Sequence, residues 1–493
     1  MQSTGVTALD AAKVTAPAGR RGTPSRFVIV SNRVADPRHV QTGGLAVAIR
    51  DTLRHARGLW FGWSGQLSPS AAETEPKLVR GDDLDSMTVD LTAEEHARYY
   101  LNFANGCLWP LLHYRLDLIR IDPRDEQVFF EVNARLAASL ATILRDGDRV
   151  WVHDYHLMPL GAALRKRMPA VPLGFFLHVP FPPAEVFTAA PHHERLGRAL
   201  FAYDVVGFQT QTDCTNFVRY AVEYLGARRL FDNLLSADGR IVRVGAFPIG
   251  IDAAEFAAVA QDTVERPVLR RLREMSGCTD LVVGVDRLDY TKGLPQRLQA
   301  FQRVLERSEH HLGHTSLVQI APPTREGVDA YRHIRAEVES LAGRVNCRFG
   351  SLGWTPVHVL QQSMPRDLLA GLFRCSRVGL VTPLRDGMNL VAKEYVAAQD
   401  PDDPGVLVLS RFAGAAAQLR AALLVNPHDV DEVASAIDRA LSMPLEERRE
   451  RHEALWRNVA TENISWWGQR FLSALDHAMV PSKAGTARAV EAA

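Results

Sequence analysis

The segment VGLVTPLRDGMNLVAKEYVAAQ, residues 378–399, decides the fold that this sequence predicts. Its first part, residues 378–382, is an apolar, β-branched run that ends at Pro383, which predicts a strand buried on both faces. Residues 389–399 contain strong helix formers and neither Gly nor Pro, which predicts a helix. The loop between them therefore lies at the carboxyl end of a strand, where open α/β sheets bind their ligands.

This loop combines backbone donors with carboxylate acceptors. The N–H groups of residues 387–390 point out of the predicted helix start, where the helix dipole favours an anion such as a diphosphate. Asp386 can accept hydrogen bonds from hydroxyl groups, and Glu394 can bind a pair of vicinal hydroxyls. An ordinary strand–helix loop with a capping Asp explains these residues about as well, so the loop alone leaves both interpretations open.

The composition excludes several functional classes. The chain has 493 residues, more than one ordinary core holds, so two domains are expected. Lys+Arg and Asp+Glu both total 57, so no overall field attracts nucleic acid or an anionic membrane, and local cations must hold any phosphate. The five cysteines are scattered without a C-x-x-C pair, which favours a reducing compartment. No apolar run reaches the roughly 18 residues that a membrane span needs.

Two series of alternating strands and helices follow one another along the chain, with a hinge at residues 248–252 between them. A short strand is also predicted at residues 346–350, near the middle of the second series. The last predicted helix is amphipathic and is expected to pack back across the domain boundary. The expected order is a disordered tail (1–24), a first Rossmann-like domain (25–250), a second one (251–463), the returning helix (464–480) and a loose tail (481–493).

Polar side chains recur at the ends of the predicted strands: Arg33, Asp154 and His178 in the first series, and Arg287, Lys292 and Arg325 in the second. Arg287 and Lys292 flank a turn, where a forked guanidinium and an ammonium suit a diphosphate. Two doubly wound domains with such residues face one another across a cleft. Anion ligands on both walls predict a nucleotide-like donor and a second substrate, phosphorylated or not.

An aromatic segment and a glycine-rich turn add weaker signals. Most aromatic side chains of residues 99–114 are expected in the core, although Tyr100 and Trp109 suit a sugar site equally well, because flat rings cover apolar sugar faces. Gly43 and Gly44 open a predicted helix without forming G-x-G-x-x-G, so they indicate phosphate or sugar binding only weakly.

No metal site is predicted. His153, Asp154 and His156 lack the spacing of a zinc motif, and a carboxylate that holds a sugar hydroxyl is the favoured interpretation of Asp154. Two D-x-D pairs, at residues 83–85 and 429–431, are explained by a polar loop and by the cap of a helix.

Eight motifs carry a resemblance: SNR (31–33), GGL (43–45), WFGW (60–63), LWP (108–110), HDYH (153–156), HVPFP (178–182), VDRLDYTKG (285–293) and RDGMNLVAKE (385–394). From about residue 27 to about residue 475, the chain resembles the trehalose-6-phosphate synthases, a family of retaining glycosyltransferases. The resemblance implies an α/β fold of the GT-B type, with two Rossmann-like doubly wound domains facing a central cleft and a C-terminal helix crossing back. It also implies transfer of glucose from UDP- or ADP-glucose to glucose 6-phosphate, giving α,α-trehalose 6-phosphate with retention of configuration.

The resemblance also assigns roles. The residues implied in catalysis are Asp154, His178, Arg287, Lys292 and Asp386. The donor site comprises Gly43, Gly44, Arg287, Lys292, Met364, Asp386, Gly387, Met388, Asn389, Leu390, Val391 and Glu394, with Glu394 at the ribose and Met364 near the base. The acceptor site comprises Arg33, Tyr100 and Arg325 around the phosphate and Trp109, Asp154 and Val179 around the sugar. We expect no cofactor or metal, no nucleic-acid or membrane partner, a cytoplasmic location and a homo-oligomer, either dimer or tetramer.

Three alternatives stay open at the level of sequence. A relative with the same donor site would use a smaller phosphorylated acceptor such as glycerol 3-phosphate. A non-catalytic regulatory subunit would be expected to lose donor ligands, which are all present here. A nucleotide-sugar oxidoreductase is disfavoured because G-x-G-x-x-G is missing. Arg411 stands where members of the family often carry Gln or Glu, so detail near that position is left open.

Overall fold

The computed structural model describes residues 26–34, 58–70, 75–80, 85–231, 233–270, 280–325 and 328–478. Within these residues the strands form one sheet of ten strands and one of six. The predicted tails at residues 1–24 and 481–493 lie outside the described residues and stay predictions, as do the domain boundaries near residues 250 and 463.

The first sheet is built around parallel strands. Its strands are β1 (Phe27–Arg33), β2 (Gly58–Ser68), β3 (Lys77–Val79), β4 (Asp85–Thr92), β5 (Arg149–His153), β6 (Leu173–Phe176), β7 (Val205–Phe208), β8 (Arg228–Arg229), β9 (Leu234–Ala237) and β10 (Arg240–Ala246). They are ordered β3-β4-β2-β1-β5-β6-β7-β10-β9-β8, and β3, β9 and β8 pair in antiparallel fashion. From β1 the chain adds strands on one side through β2 and β4, and then returns to the other side of β1 to add β5, β6, β7 and β10. This reversal beside β1 is the doubly wound arrangement.

The second sheet is wholly parallel within the described residues. Its strands are β11 (Asp280–Val285), β12 (Thr315–Ile320), β13 (Val357–Leu360), β14 (Val378–Val381), β15 (Val406–Ser410) and β16 (Leu423–Val425). The order β13-β12-β11-β14-β15-β16 is the Rossmann order, with the switch point between β11 and β14. β12, β14 and β15 are buried along their whole length, as expected for strands covered by helices on both faces.

Helices fill the connections. The α-helices are Ala93–Glu95, Trp109–Leu112, Pro123–Ala141, Leu160–Arg165, Ala184–Phe187, His193–Ala199, Gln211–Leu225, Ala253–Thr263, Leu294–Arg307, Asp329–Phe349, Arg366–Arg374, Leu390–Ala398, Val430–Leu441, Leu445–Thr461 and Ile464–Ala478. A π-helix spans His96–Leu108, and short 3₁₀ turns occur at Leu116–Leu118, Tyr155–Leu157, Leu200–Ala202, Tyr290–Lys292, Glu309–His311 and Gly414–Ala417. The predicted α/β fold of two doubly wound sheets is therefore confirmed.

The strand predicted at residues 346–350 is wrong. These residues end the helix Asp329–Phe349. Val338, Leu341 and Val345 continue its buried face at helical spacing. The Asn346 side chain accepts a hydrogen bond from the Val357 N–H and donates one to the Val357 carbonyl, both at 2.9 Å. An amide side chain thus pairs with the edge strand β13 in the way that a strand backbone would, while its own backbone is helical.

The last helix, Ile464–Ala478, follows the second sheet but packs on the first. The ring of Phe471 stacks on Trp151 of β5, with centroids 4.2 Å apart. Two glycines make room for that ring, since an added Cβ would stand 2.6 Å from it at Gly174 and 2.8 Å from it at Gly207. Within the described residues, none of the helices combines the length and apolar character that crossing a membrane requires.

We predict that Phe471→Ala lowers the free energy of unfolding by about 3–5 kcal/mol, because it empties a fully enclosed aromatic site. Denaturant unfolding followed by circular dichroism measures the change, with Gln469→Ala on the exposed side of the same helix as the control. An equal effect of the two substitutions would contradict the packing role of the ring.

Candidate active site

Two backbone segments meet at the base of the cleft between the sheets. Gly387 lies in the loop after β14, and the carbonyl oxygen of His178 is 2.0 Å from the point where a Cβ at position 387 would stand. On the opposite side, a Cβ at Gly414 would stand 1.8 Å from the Gly387 carbonyl oxygen. No side chain fits at either glycine, so main chain rather than side chains forms the base of the cleft.

Lys292 and Asp386 form an ion pair at this base. The Lys292 Nζ donates to the Asp386 Oδ2 at 2.5 Å, and the Asn389 Nδ2 donates to the same oxygen at 3.1 Å. Burial would raise the pKa of Asp386, but Lys292, with His113 and Arg287 near it, holds that pKa below the ordinary value. The carboxylate is therefore ionised at neutral pH and can accept hydrogen bonds from a ligand.

The helix Leu390–Ala398 begins directly behind this ion pair. Asn389, its N-cap residue, has a φ of 73°, in the left-handed region that few residues other than Gly adopt. The carbonyls of residues 386 and 388 accept hydrogen bonds from Gly414 and Ala415, at 3.2 and 2.8 Å. The first N–H groups of the helix have no acceptor within it. The loop is thus held by its carbonyls while N–H donors remain at the helix start, an arrangement that suits an anion.

The other residues predicted on this wall lie around the same helix. Arg287 is exposed after β11, with its guanidinium carbon 5.7 Å from the centroid of the Trp109 ring across the cleft. Glu394 is half-buried, and burial raises its pKa to about 6 against the opposing charge of Arg366. Val391 packs beside the second core from the first turn of the helix.

Met364 and the two glycines of the predicted glycine-rich turn complete the predicted donor site. Met364 is half-buried just before the helix Arg366–Arg374 and packs against the second core. Gly43 and Gly44 lie outside the described residues, so their place in the donor site, with Gly44 closing over the donor, stays a prediction.

Arg325 is a buried cation between the two sheets. Its Nη1 donates to the Tyr331 hydroxyl at 2.5 Å and lies 3.5 Å from the Asp289 Oδ2, while its Nη2 donates to the Tyr155 hydroxyl at 3.3 Å. Its guanidinium carbon stands 4.1 Å from the Trp109 ring centroid, close enough for a cation–π contact. Because its side chain is only 7% exposed, Arg325 is not a surface ion pair.

Asp154 and His178 follow neighbouring strands of the first sheet. Asp154 has a φ of 75°, and its carboxylate accepts a hydrogen bond from the His178 N–H at 3.3 Å. Burial raises the pKa of Asp154 to about 6. The N–H groups of Tyr155 and His178 and the charges of Arg325 and Arg287 oppose that shift without cancelling it. Burial lowers the pKa of His178 to about 3, so its ring is neutral, and its Nε2 lies 3.0 Å from the His153 Nδ1. Val179 is buried beside it.

Aromatic rings line the wall next to Asp154. Tyr100, on the π-helix, stacks on His156 with centroids 5.7 Å apart, and the Tyr155 hydroxyl donates to the Asn105 side chain behind it. Trp109 lies between Tyr155, at 5.8 Å, and His113, at 4.1 Å. The two aromatic residues singled out in the sequence thus belong to one continuous ring surface.

Arg33 ends β1 at the rim of the cleft and is exposed. Its guanidinium lies against Gly65, where an added Cβ would come within 2.8 Å of the Arg33 Nε. The glycine has a φ of 88°, so the turn that receives the arginine needs a residue without a side chain for two reasons.

Sequence reasoning missed several residues that the fold brings to the cleft. Asp289 is fully buried, where it accepts hydrogen bonds from Thr291 and Tyr331 and faces Arg325. Arg385 donates to the Tyr114 hydroxyl at 2.7 Å and lies over its ring, 4.3 Å from the centroid. The motif VDRLDYTKG contained the only signal for Asp289, an acid between two cations.

The second D-x-D pair caps a helix, as predicted, while the first pair is only half described. Asp429 caps the helix Val430–Leu441 by accepting hydrogen bonds from the N–H groups of Asp431 and Glu432. Asp83 lies outside the described residues, and Asp85 begins β4. Among the described side chains, no three His, Cys, Asp or Glu residues are grouped as ligands of one ion. Arg411 forms an ion pair with Glu432 at 2.5 Å.

Comparisons with known proteins agree on one family. The profile of Glycosyltransferase family 20 matches residues 27–477. A trehalose-6-phosphate synthase of Klebsiella pneumoniae is 47% identical over 92% of this chain and 95% of its own length. The α,α-trehalose-phosphate synthase (UDP-forming) of Burkholderia xenovorans, solved with glucose-6-phosphate, shares 44% identity and a TM-score of 0.89 over 92% of this chain and 100% of its own. The Escherichia coli structure bound with UDP-2-fluoro glucose shares 45% identity and a TM-score of 0.87, with coverages of 92% and 99%.

We predict that Arg325→Leu lowers the free energy of unfolding by about 3–5 kcal/mol, because it leaves Asp289 buried without its cation. Arg332→Leu is the matched control. Arg332 pairs with Asp329 on the surface, where such a loss costs about 1 kcal/mol or less. Denaturant unfolding of both variants measures the difference, and equal small effects would show that the buried pair adds nothing.

Proposed function

This chain belongs to glycosyltransferase family 20, and from that membership we propose that it transfers glucose from UDP-glucose to glucose 6-phosphate, forming α,α-trehalose 6-phosphate with retention of configuration. The observation that carries the proposal is the set of cations around one cleft. Lys292 and Arg287 lie at the helix start on the wall of the second sheet, and Arg325, which follows β12 of that sheet, lies against the Trp109 ring. Arg33 ends β1 on the facing wall.

On the donor side, we propose that Arg287 and Lys292 bind the diphosphate. The Lys292 ammonium is neutralised by Asp386, so a diphosphate must share or replace that partner. Asp386 and the helix start at residues 387–391 then bind the hydroxyls of the transferred glucose. Glu394 would bind the ribose and Met364 would lie near the base. Gly43 and Gly44 would belong to the donor site, with Gly44 closing over the donor.

On the acceptor side, we propose that Arg33, Tyr100 and Arg325 hold the phosphate. An exposed arginine at the rim gives the phosphate a first contact, while the buried one is already oriented by Tyr155 and Tyr331. Trp109, Asp154 and Val179 would shape the sugar site, with the indole ring against an apolar sugar face.

We propose that the bond is exchanged on one face of the glucose ring. The acceptor hydroxyl attacks the anomeric carbon from the side on which the diphosphate leaves, and the leaving phosphate oxygen takes the hydroxyl proton. Arg287 and Lys292 stabilise the charge that develops on the phosphate. His178 lies beside the glucose as a neutral hydrogen-bonding group, because burial keeps its pKa well below neutrality. A glycosidase would need two carboxylates across the bond, and this scheme uses none as a nucleophile.

The scheme needs no metal, because side-chain cations serve the phosphate. We also propose a cytoplasmic homo-oligomer, a dimer or tetramer, as the working form. Light scattering of the purified protein decides the assembly.

The test is a turnover assay with UDP-glucose and glucose 6-phosphate in chelator-treated buffer, with release of UDP and formation of trehalose 6-phosphate as readouts. ADP-glucose as donor and glycerol 3-phosphate as acceptor are the comparison substrates. Rapid turnover with the first pair supports the proposal. Turnover only with glycerol 3-phosphate, or only after addition of magnesium or manganese, would overturn the acceptor or the metal-free scheme.

The acceptor site predicts strong selection for the phosphate. Two charge-assisted arginine contacts are together worth about 3–6 kcal/mol, so kcat/KM for free glucose should be roughly 10²- to 10⁴-fold below that for glucose 6-phosphate. Arg33→Ala should lower kcat/KM for glucose 6-phosphate by roughly 10- to 100-fold and leave glucose almost unaffected. Arg457→Ala, at an exposed side chain of the helix Leu445–Thr461, is the control. A similar loss with both acceptors would contradict the assignment of Arg33.

The raised pKa of Glu394 predicts a pH dependence of donor binding. Ribose hydroxyls donate to the ionised carboxylate, so protonation below the pKa of about 6 removes the acceptor. Affinity for UDP-glucose, measured by calorimetry without acceptor, should fall roughly tenfold between pH 7 and pH 5. Asp386 does not contribute to this change, because Lys292 holds its pKa below the ordinary value. Glu394→Gln should bind more weakly at pH 7 and lose the pH dependence; an unchanged slope in that variant would exclude Glu394 as its source.

A further inference from the structure

A buried lysine holds the segment that joins the two halves of the molecule. Lys393 lies on the helix Leu390–Ala398 and is completely buried, which is rare for a lysine. Its Nζ donates to the main-chain carbonyl of Ile249 at 2.7 Å. Burial lowers the pKa of Lys393 to about 7, and the carboxylate of Glu462 opposes that effect. The scheme proposed above gives Lys393 no part in substrate binding, although its neighbour Glu394 has one.

Ile249 stands where the chain first crosses from one sheet to the other. It follows β10, the last strand of the first sheet in the chain, and precedes the helix Ala253–Thr263. Its N–H donates to the Oε1 of Gln209, a buried side chain at the end of β7, at 3.0 Å. One peptide segment is thus bonded to the first half through its N–H and to the second half through its carbonyl.

The second crossing of the chain touches the first at the next residue. A Cβ at Gly250 would stand 2.3 Å from the Glu462 carbonyl oxygen and 2.5 Å from the carbonyl carbon of Asn463. One residue further on, the Ile464 N–H donates to the Ile251 carbonyl at 3.2 Å. Both connections between the halves are therefore in contact with each other, at residues 250–251 and 462–464. Any rotation of one half relative to the other has its axis at this contact.

This contact is also linked to both walls of the cleft. The Gln209 Nε2 lies 3.5 Å from the His178 Nδ1, and Lys393 lies three residues beyond the start of the helix that carries the proposed donor site. A change in the angle at Ile249 would shift that helix relative to His178. Reaction rates depend steeply on such placement, since a shift of about 1 Å can cost roughly a hundredfold.

We propose that Lys393 and Gln209 are positioning residues. Their hydrogen bonds to the carbonyl and the N–H of Ile249 hold this residue from both halves of the molecule and so set the angle between the two walls of the cleft. The inference rests on the proposed function. Lys393 then affects the rate of catalysis through the position of Ile249 at the hinge, residues 248–252, and does not change the affinity of the nucleotide site.

Two variants test the hinge from different sides. Lys393→Met keeps the length of the side chain but removes the donor, and Gly250→Ala forces the two crossings apart without touching Lys393. Their matched controls are Lys166→Met, at an exposed lysine, and Gly343→Ala, at a helical glycine with free space around it. If Lys393→Met does not fold, Gly250→Ala carries the test.

The readouts are kcat with both substrates, Kd for UDP by calorimetry, and the radius of gyration by small-angle X-ray scattering with and without UDP plus glucose 6-phosphate. We expect kcat to fall roughly 10- to 100-fold in both hinge variants, with Kd for UDP within about threefold of wild type and ligand-induced compaction reduced. The controls should match wild type. A loss of UDP affinity in proportion to kcat would place Lys393 in the nucleotide site, and wild-type kcat and compaction would refute the hinge role.

The wild-type protein separates this inference from the proposed function. If it binds UDP and compacts but does not form trehalose 6-phosphate, the proposed function fails, while the scattering comparison still decides the role of Lys393.

Discussion

Everything in the cleft depends on a contact between two main chains. The peptide at Gly387 lies so close to the His178 carbonyl that no Cβ fits between them, and Gly414 closes the opposite side in the same way. Because side chains are excluded there, the two sheets approach to the distance of backbone contact. The start of the helix Leu390–Ala398 is consequently brought near the strand ends that carry Asp154 and His178. A larger residue at Gly387 would separate the walls, and one at Gly414 would displace the loop that carries Gly387.

Charge in the cleft is organised by pairing within the protein. The chain has no net charge, yet cations in and near the cleft are almost completely removed from water, among them Lys292, Arg325 and Lys393. Each has an oxygen partner within the fold, and for Lys292 and Arg325 that partner is a carboxylate. A buried charge without a partner is strongly destabilising. The charged groups of the site are therefore preorganised, and an anionic ligand would exchange partners with groups that are already in place.

Much of the fold could be predicted from the sequence, because short apolar runs typical of buried strands alternate with segments of helix-forming residues. The strand, loop and helix of residues 378–399 occur as predicted, and strand exits pointed to Arg287, Lys292 and Arg325. The prediction failed at residues 346–350, which end the helix Asp329–Phe349. There the Asn346 side chain forms the hydrogen bonds to β13 that a neighbouring strand would form. The sequence also gave no sign that Arg325 is enclosed by Tyr155 and Tyr331, since those partners come from segments far apart in the chain. Contacts of that kind follow from the assembled fold and leave no local pattern.

The returning helix has a consequence for how the chain is made. Phe471 fills a groove on β5 to β7 that Gly174 and Gly207 leave open. During synthesis the strands that form this groove leave the ribosome long before residues 464–478 do, by tens of seconds at ordinary elongation rates of about 5–20 residues per second. Through that interval the first half of the protein exposes an apolar surface around Trp151 that the helix Ile464–Ala478 later covers. The nascent polypeptide is therefore most exposed to aggregation and to chaperone binding in its first half, and residues 464–478 complete a layer of packing that began with β1.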